Sequence, residues 1–242
     1  MDGVPETFVR EVCHLLTDAN QKALRRVPTW GRIAQKVWPR ADFFSLVVKI
    51  YLDSDDVHYW LFPNQSHTPV FQFKSLLQMI TEFQTWRINK VFVSCEEVDI
   101  GNTASYQNAL TDDIVQGLGT ALKKQSIPIS LLVDHYPMDR YPLIDKLLGV
   151  LPRVTTVEYR NQWVQSEVLS SCIQRGVLQR FSCTFSREIL NVLPDMLKLK
   201  CFRRLAVRKN PEQEEDWTTF EEILQISDMD VTLGDEIVAS RR

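Results

Sequence analysis

VTTVEY at 154–159, LQRFSCT at 178–184 and FRRLAVRK at 202–209 decide the fold. Each carries one spacing of apolar residues: Val154-x-x-Val157-x-Tyr159, Leu178-x-x-Phe181-x-Cys183 and Phe202-x-x-Leu205-x-Val207. Two earlier segments share it, Ile88-x-x-Val91-x-Val93 and Pro128-x-x-Leu131-x-Val133. The middle residues 91, 131, 157, 181 and 205 lie 40, 26, 24 and 24 apart. A doubly wound α/β unit needs roughly thirty residues or more from strand to strand. Intervals in the twenties predict stacked units instead, each taking part of its core from the next. Neighbouring parallel strands in chain order, with helices on one side only, are therefore expected.

The segments between them carry helical periodicity. Helices are predicted at 73–86, 110–124, 141–151, 163–176, 186–199 and 216–226, the second weakened by Gly117 and Gly119. Pro194 should bend the fifth. The long 40-residue unit holds an insertion around 97–109. Upstream, LVVKIYL (46–52), a DSDD turn and VHYWLF (57–62) read as a β-hairpin, with a short strand at 70–73. The expected fold class is α/β, an irregular leucine-rich-repeat-like solenoid. The domains are a helical unit at 1–42, a connecting hairpin at 43–73, a repeat domain at 74–226 and a tail at 227–242 that should fray.

The repeats depart from the L-x-x-L-x-L-x-x-N pattern. Only Asn210, three after Val207, supplies the Asn; Glu96, Tyr136, Gln162 and Ser186 stand at the corresponding places. A buried Asn there is expected to bond the backbone of the turn.

The N-terminal unit reads as three short helices. Val4-Pro5, Phe8, Val12, Leu15-Leu16, Leu24, Val27, Trp30, Ile33-Ala34 and Trp38 fall at helical spacings. This stretch resembles an F-box, above all through Val27-x-x-Trp30-x-x-Ile33-Ala34. Followed by the repeats, it is similar to the F-box/leucine-rich-repeat family in its divergent, lineage-expanded form. The resemblance implies that Pro5, Phe8, Val12, Leu16, Val27 and Trp30 dock an Skp1-type adaptor, while the repeats capture a protein substrate for ubiquitination.

Composition excludes several other classes. The 242 residues carry a formal net charge of -3, which gives no global pull toward nucleic acid or an anionic membrane. No apolar run is long enough to span a bilayer, and the first residues lack a secretory pattern, so an intracellular, cytoplasmic or nuclear, protein is expected. The five cysteines are scattered and read as buried free thiols. No pair of His or Cys has metal-ligand spacing, and no phosphate-binding or nucleophile motif is present, so no cofactor, metal or catalytic residue is assigned. Asp134-His135 at a strand end is the best catalytic-looking pair.

The positions interleaved with the apolar ones carry the partner-binding candidates. Thr156, Arg180 and Arg204 precede the middle residues of the last three units; Arg160, Thr184 and Arg208 follow three later. In a solenoid these positions share the helix-free face. Arg160, Arg180, Arg204 and Arg208 are thus expected to read a partner, and their charge favours an acidic one. Two rival readings remain: a free-standing repeat module whose first helices only cap it, and a small α/β enzyme using Asp134 and His135. The enzyme would need a deep pocket at the strand ends, which a horseshoe is expected to lack.

Overall fold

In the computed structural model the described residues are 5, 8–9, 12, 30–33, 42–51, 56–63, 86–96, 108–123, 127–134, 141–160, 166–225, 227, 229–232 and 236–241. They form an α/β structure around one mostly parallel sheet of ten strands. The strands are β1 (Asp42–Tyr51), β2 (Asp56–Pro63), β3 (Trp86–Glu96), β4 (Asn108–Ala109), β5 (Ile129–Asp134), β6 (Val154–Tyr159), β7 (Arg180–Thr184), β8 (Arg204–Arg208), β9 (Asp230–Thr232) and β10 (Glu236–Ser240). Their order in the sheet is β4-β2-β1-β3-β5-β6-β7-β8-β10-β9.

The spacing read from the sequence appears as a straight cross-strand row. Val91 pairs with Leu131, Leu131 with Val157, Val157 with Phe181, and Phe181 with Leu205, all in parallel strands. These five side chains are at most 1% exposed. Each such apolar side chain stabilises the fold by about 1.5–3 kcal/mol relative to its exposed state. The row extends beyond the predicted units. Leu46 pairs with Val91 on one side and Ala239 with Leu205 on the other.

Two expectations change here. The hairpin β1–β2 is joined to the sheet, since β1 pairs in parallel with β3 along its length. The segment after Ser227 supplies β10, antiparallel to β8, and β9 beside it, where fraying was expected. Ile237 and Ala239 are fully buried, and that burial holds the segment on the sheet. The predicted helix at 73–86 and strand at 70–73 lie outside the described residues, except that Trp86 opens β3.

Helices α1 (Asp112–Lys123), α2 (Pro142–Val150), α3 (Ser166–Gln174), α4 (Glu188–Lys198) and α5 (Glu214–Gln225) fall where the periodicity places them. α1 through α4 pack side by side in chain order. Their buried residues join the strand residues of the apolar row in one core. Crossovers of one hand between strands in sequential order put their helices on the same side. α5 seals the end: Trp217 meets the Phe185 ring edge-on at 5.2 Å, and Phe220 stacks beside both.

The close spacing of α1 and α2 explains one helical glycine. A Cβ on Gly119 would stand 2.8 Å from Cβ of Val150. Helix ends are closed by distant side chains. Arg175 donates to the carbonyls of Gly149 and Leu151 at the end of α2. Arg241 does the same for Leu197 and Leu199 at the end of α4. Asn210 is buried, accepts from the Glu212 N–H at 3.1 Å and donates to the Phe185 carbonyl at 3.5 Å, so it ties the turn as its position predicts. None of the helices among the described residues is long and apolar enough to cross a membrane.

Candidate functional site

The face opposite the helices presents the interleaved positions as rows. At the amino side of the strands the order is Lys90, Ser130, Thr156, Arg180, Arg204, Ser240. The middle row runs Phe92, Leu132, Glu158, Ser182, Ala206, Val238. At the carboxyl side Ser94 pairs with Asp134, while Thr184, Arg208 and Glu236 pair in turn. Arg160, one residue past β6, fills the place between Asp134 and Thr184: its N–H bonds the Val133 carbonyl at 3.0 Å.

All four predicted arginines are therefore exposed on the face opposite the described helices, but they divide into two settings. Arg180 and Arg204 are direct cross-strand partners. Strands stand about 4.8 Å apart, so the two cations are neighbours, an arrangement that disfavours the free protein slightly. Thr156 and Ser240 flank them with hydroxyls. Among the described residues neither arginine forms an ion pair.

Arg160 and Arg208 instead line a cleft of ≈ 400 Å³ at the carboxyl ends of the strands. Its floor is β7, with Ser182 and Thr184, and its walls carry Asp134 and Glu158 on one side and Glu236 on the other. Glu158 accepts a hydrogen bond from Nε of Arg160 at 3.1 Å. Among the described residues the lining thus holds three carboxylates and two guanidinium groups. These two arginines therefore stand in a mixed setting of cations and carboxylates. Ser182 and Thr184 have no hydrogen-bonded base among the described residues, and His135 lies outside them. Cys183, which also lines the cleft, is buried, and burial raises its thiol well above the usual value.

The adaptor-binding candidates lie at the other end of the chain. Pro5, Phe8, Val12 and Trp30 are described; Leu16 and Val27 are not. The Val9 N–H bonds the Pro5 carbonyl at 3.2 Å, a first helical turn opened by proline. Phe8 is 54% exposed and meets Trp30 edge-on at 6.5 Å. The helical stripe read from sequence places Phe8 with the docking residues rather than assigning it to this chain's core. Val9, at 1% exposure, takes the interior place instead.

The sequence did not single out the other end of the carboxyl-side row. There Ser94 pairs with Lys49 and Lys49 with His58. Ser94 Oγ and His58 Nδ1 are buried without a hydrogen-bond partner. Lys49 Nζ lies 5.8 Å from the Trp60 ring centre. Strand alternation could have placed these residues on the face, but the pairing of β1 with β3 was needed to bring them into one row. Among the described residues no group of three His, Cys, Asp or Glu side chains is arranged to hold a metal ion. No family model matches the chain, and no curated protein or solved structure is significantly similar to it.

Proposed function

We propose that the chain is a non-enzymatic protein-binding adaptor built on leucine-rich-repeat-like units. The F-box-like helices dock an Skp1-type adaptor through Pro5, Phe8, Val12, Leu16, Val27 and Trp30. The sheet face opposite the described helices captures a protein substrate, and proximity raises the target's effective concentration at a ubiquitin ligase. The observation that carries this reading is the open sheet face with Arg180 and Arg204 exposed side by side and unpaired among the described residues. Guanidinium pairs of this kind suit an acidic segment. The repeated interval, the in-register row and the turn-bonding Asn210 support the repeat architecture.

Phe8 supports the docking half of the proposal, because an aromatic ring half exposed beside Trp30 is the kind of anchor on which interfaces depend. Affinity purification tests it. Wild-type protein brings down an Skp1-type adaptor with its cullin, and Phe8→Ala removes both by deleting an anchor worth on the order of 2 kcal/mol. The melting temperature should move little, since Phe8 contributes little to this chain's own core. Failure of the wild type to bring the adaptor down rejects the ubiquitin-ligase role and leaves a free-standing interaction module.

A further inference from the structure

The row at the amino side of β6, β7, β8 and β10 carries an inference that rests on the capture reading and names what is captured. Its order is Thr156, Arg180, Arg204, Ser240. Both arginines and Ser240 are exposed, and Thr156 is half-buried. Ser130 and Asp230 stand at either end, so the cationic part is two strands wide. Residues 174–184 and 199–210, which lead into and form β7 and β8, include no Asp or Glu. Glu158, on β6, is held by Nε of Arg160. Ser182 and Ala206, next along β7 and β8 on the same face, are small and leave room above the strands.

Spacing selects among acidic partners. Strands about 4.8 Å apart put Thr156 and Ser240 about 14 Å from each other. A single phosphoryl group centred between the guanidinium groups would stand about 7 Å from either hydroxyl-bearing strand, beyond the reach of such short side chains. Two carboxylates use all four groups, one between Thr156 and Arg180, the other between Arg204 and Ser240. Each then meets a guanidinium fork and a hydroxyl donor. Carboxylates seated in this way lie between about 5 and 10 Å apart. In an extended chain residues i and i+2 share a side and stand about 6.7 Å apart, while residues i and i+1 point to opposite sides.

We propose that the sheet face opposite the described helices captures an extended acidic segment of a partner protein that runs across β6, β7, β8 and β10, with carboxylates at alternate positions. One carboxylate docks on Arg180 with Thr156, and the next but one on Arg204 with Ser240. The side chain between them points away from the sheet, so its identity is free.

Amide chemical-shift titration of the full chain at low salt tests this with three short peptides capped at both ends. One is a Gly/Ser host carrying Glu-Ser-Glu, the second has the same composition with the two Glu adjacent, and the third carries one phosphoserine. The alternating peptide should bind about tenfold more tightly than the adjacent one, because only it seats both carboxylates. It should also bind more tightly than the phosphoserine peptide of similar charge. Arg180→Gln and Arg204→Gln should each abolish the preference for alternation. Thr156→Val with Ser240→Ala should weaken the alternating peptide about threefold or more and leave the phosphoserine peptide unchanged. Lys198→Gln, exposed on α4, should change nothing. A thermal melt confirms that each variant folds. Equal binding of the two glutamate peptides overturns the inference and leaves an acid-binding face. Tighter binding of the phosphoserine peptide overturns it in favour of a single oxyanion. No binding by any of the three overturns both this inference and the acidic-capture reading. Docking of the Skp1-type adaptor is read separately, in the Phe8→Ala purification.

Discussion

At the scale of single residues, two glycines in neighbouring helices should respond in opposite ways to the same change. Gly149 has open space where a Cβ would stand, so Gly149→Ala should stabilise by up to about 1 kcal/mol through helix propensity. At Gly119 the added carbon would meet Cβ of Val150, an atom fixed to the α2 backbone. Overpacking costs about 1–3 kcal/mol, more than the propensity gained, so Gly119→Ala should lower the urea midpoint. Adding Val150→Ala should restore part of the loss. The sequence shows Gly119 only as a weak point in a helix; its reason lies in how near α2 comes, which no local pattern encodes. The buried thiols give a second test. Burial pushes Cys172 up to about 11, partly opposed by Arg175, and raises Cys183 as well. In the unfolded chain such thiols ionise near about 8.5. Below that pH the folded and unfolded chains are equally protonated and the contribution is complete. As pH rises toward 11 the unfolded chain sheds protons that the folded chain keeps. Stability should therefore fall at up to about 1.4 kcal/mol per pH unit for each thiol. Denaturation midpoints at pH 8 and pH 10 measure the slope, and Cys172→Ala should flatten it.

At the scale of elements, legibility followed the length of the signal. The residues 91, 131, 157, 181 and 205 were readable as one row because constant short crossovers leave parallel strands no other order. The same logic did not reach Leu46, which lies beyond a hairpin and the long residue 64–85 interval. Nor did it reach β10, whose five residues show only a brief alternation at Ile237 and Ala239. Arg180 and Arg204 were placed on the open face by strand alternation alone. The cleft was not, because it depends on three carboxylates from β5, β6 and β10 that meet only in the sheet. β10 is also where the structure makes its sharpest demand. Without it β8 would be an open edge, and the Arg241 cap on α4 would be lost. Ile237→Ala should cost about 2–5 kcal/mol, the range for truncating a fully buried aliphatic side chain. A loss within about 0.5 kcal/mol would return the segment to the frayed tail that its sequence implies.

At the scale of the molecule, the sheet limits where a partner can bind. Among the described residues its edge strands are short, two residues in β4 and three in β9, and short edges offer few free backbone groups for strand addition. The broad face opposite the described helices remains, and it is not uniform. Phe92 and Leu132 make its β3–β5 part apolar, while Arg180 and Arg204 make its β7–β8 part basic. A partner that reads the basic part should depend on both arginines together. Arg180→Glu with Arg204→Glu should weaken capture of the proposed acidic substrate and leave the proposed Skp1-type interaction intact, since sites that share no partners act independently. Replacing two adjacent cations by two anions should also relieve nothing in the core, so the melt should stay within about 0.5 kcal/mol of the wild type. Salt gives the second arm. Exposed ion contacts are screened over about 10 Å at 0.1 M, so wild-type capture should weaken as salt rises while the charge-reversed protein shows little further loss. If capture ignores both the substitutions and salt, the arginines are a solvated part of the face. The apolar part around Phe92 and Leu132 would then be the surface to mutate next.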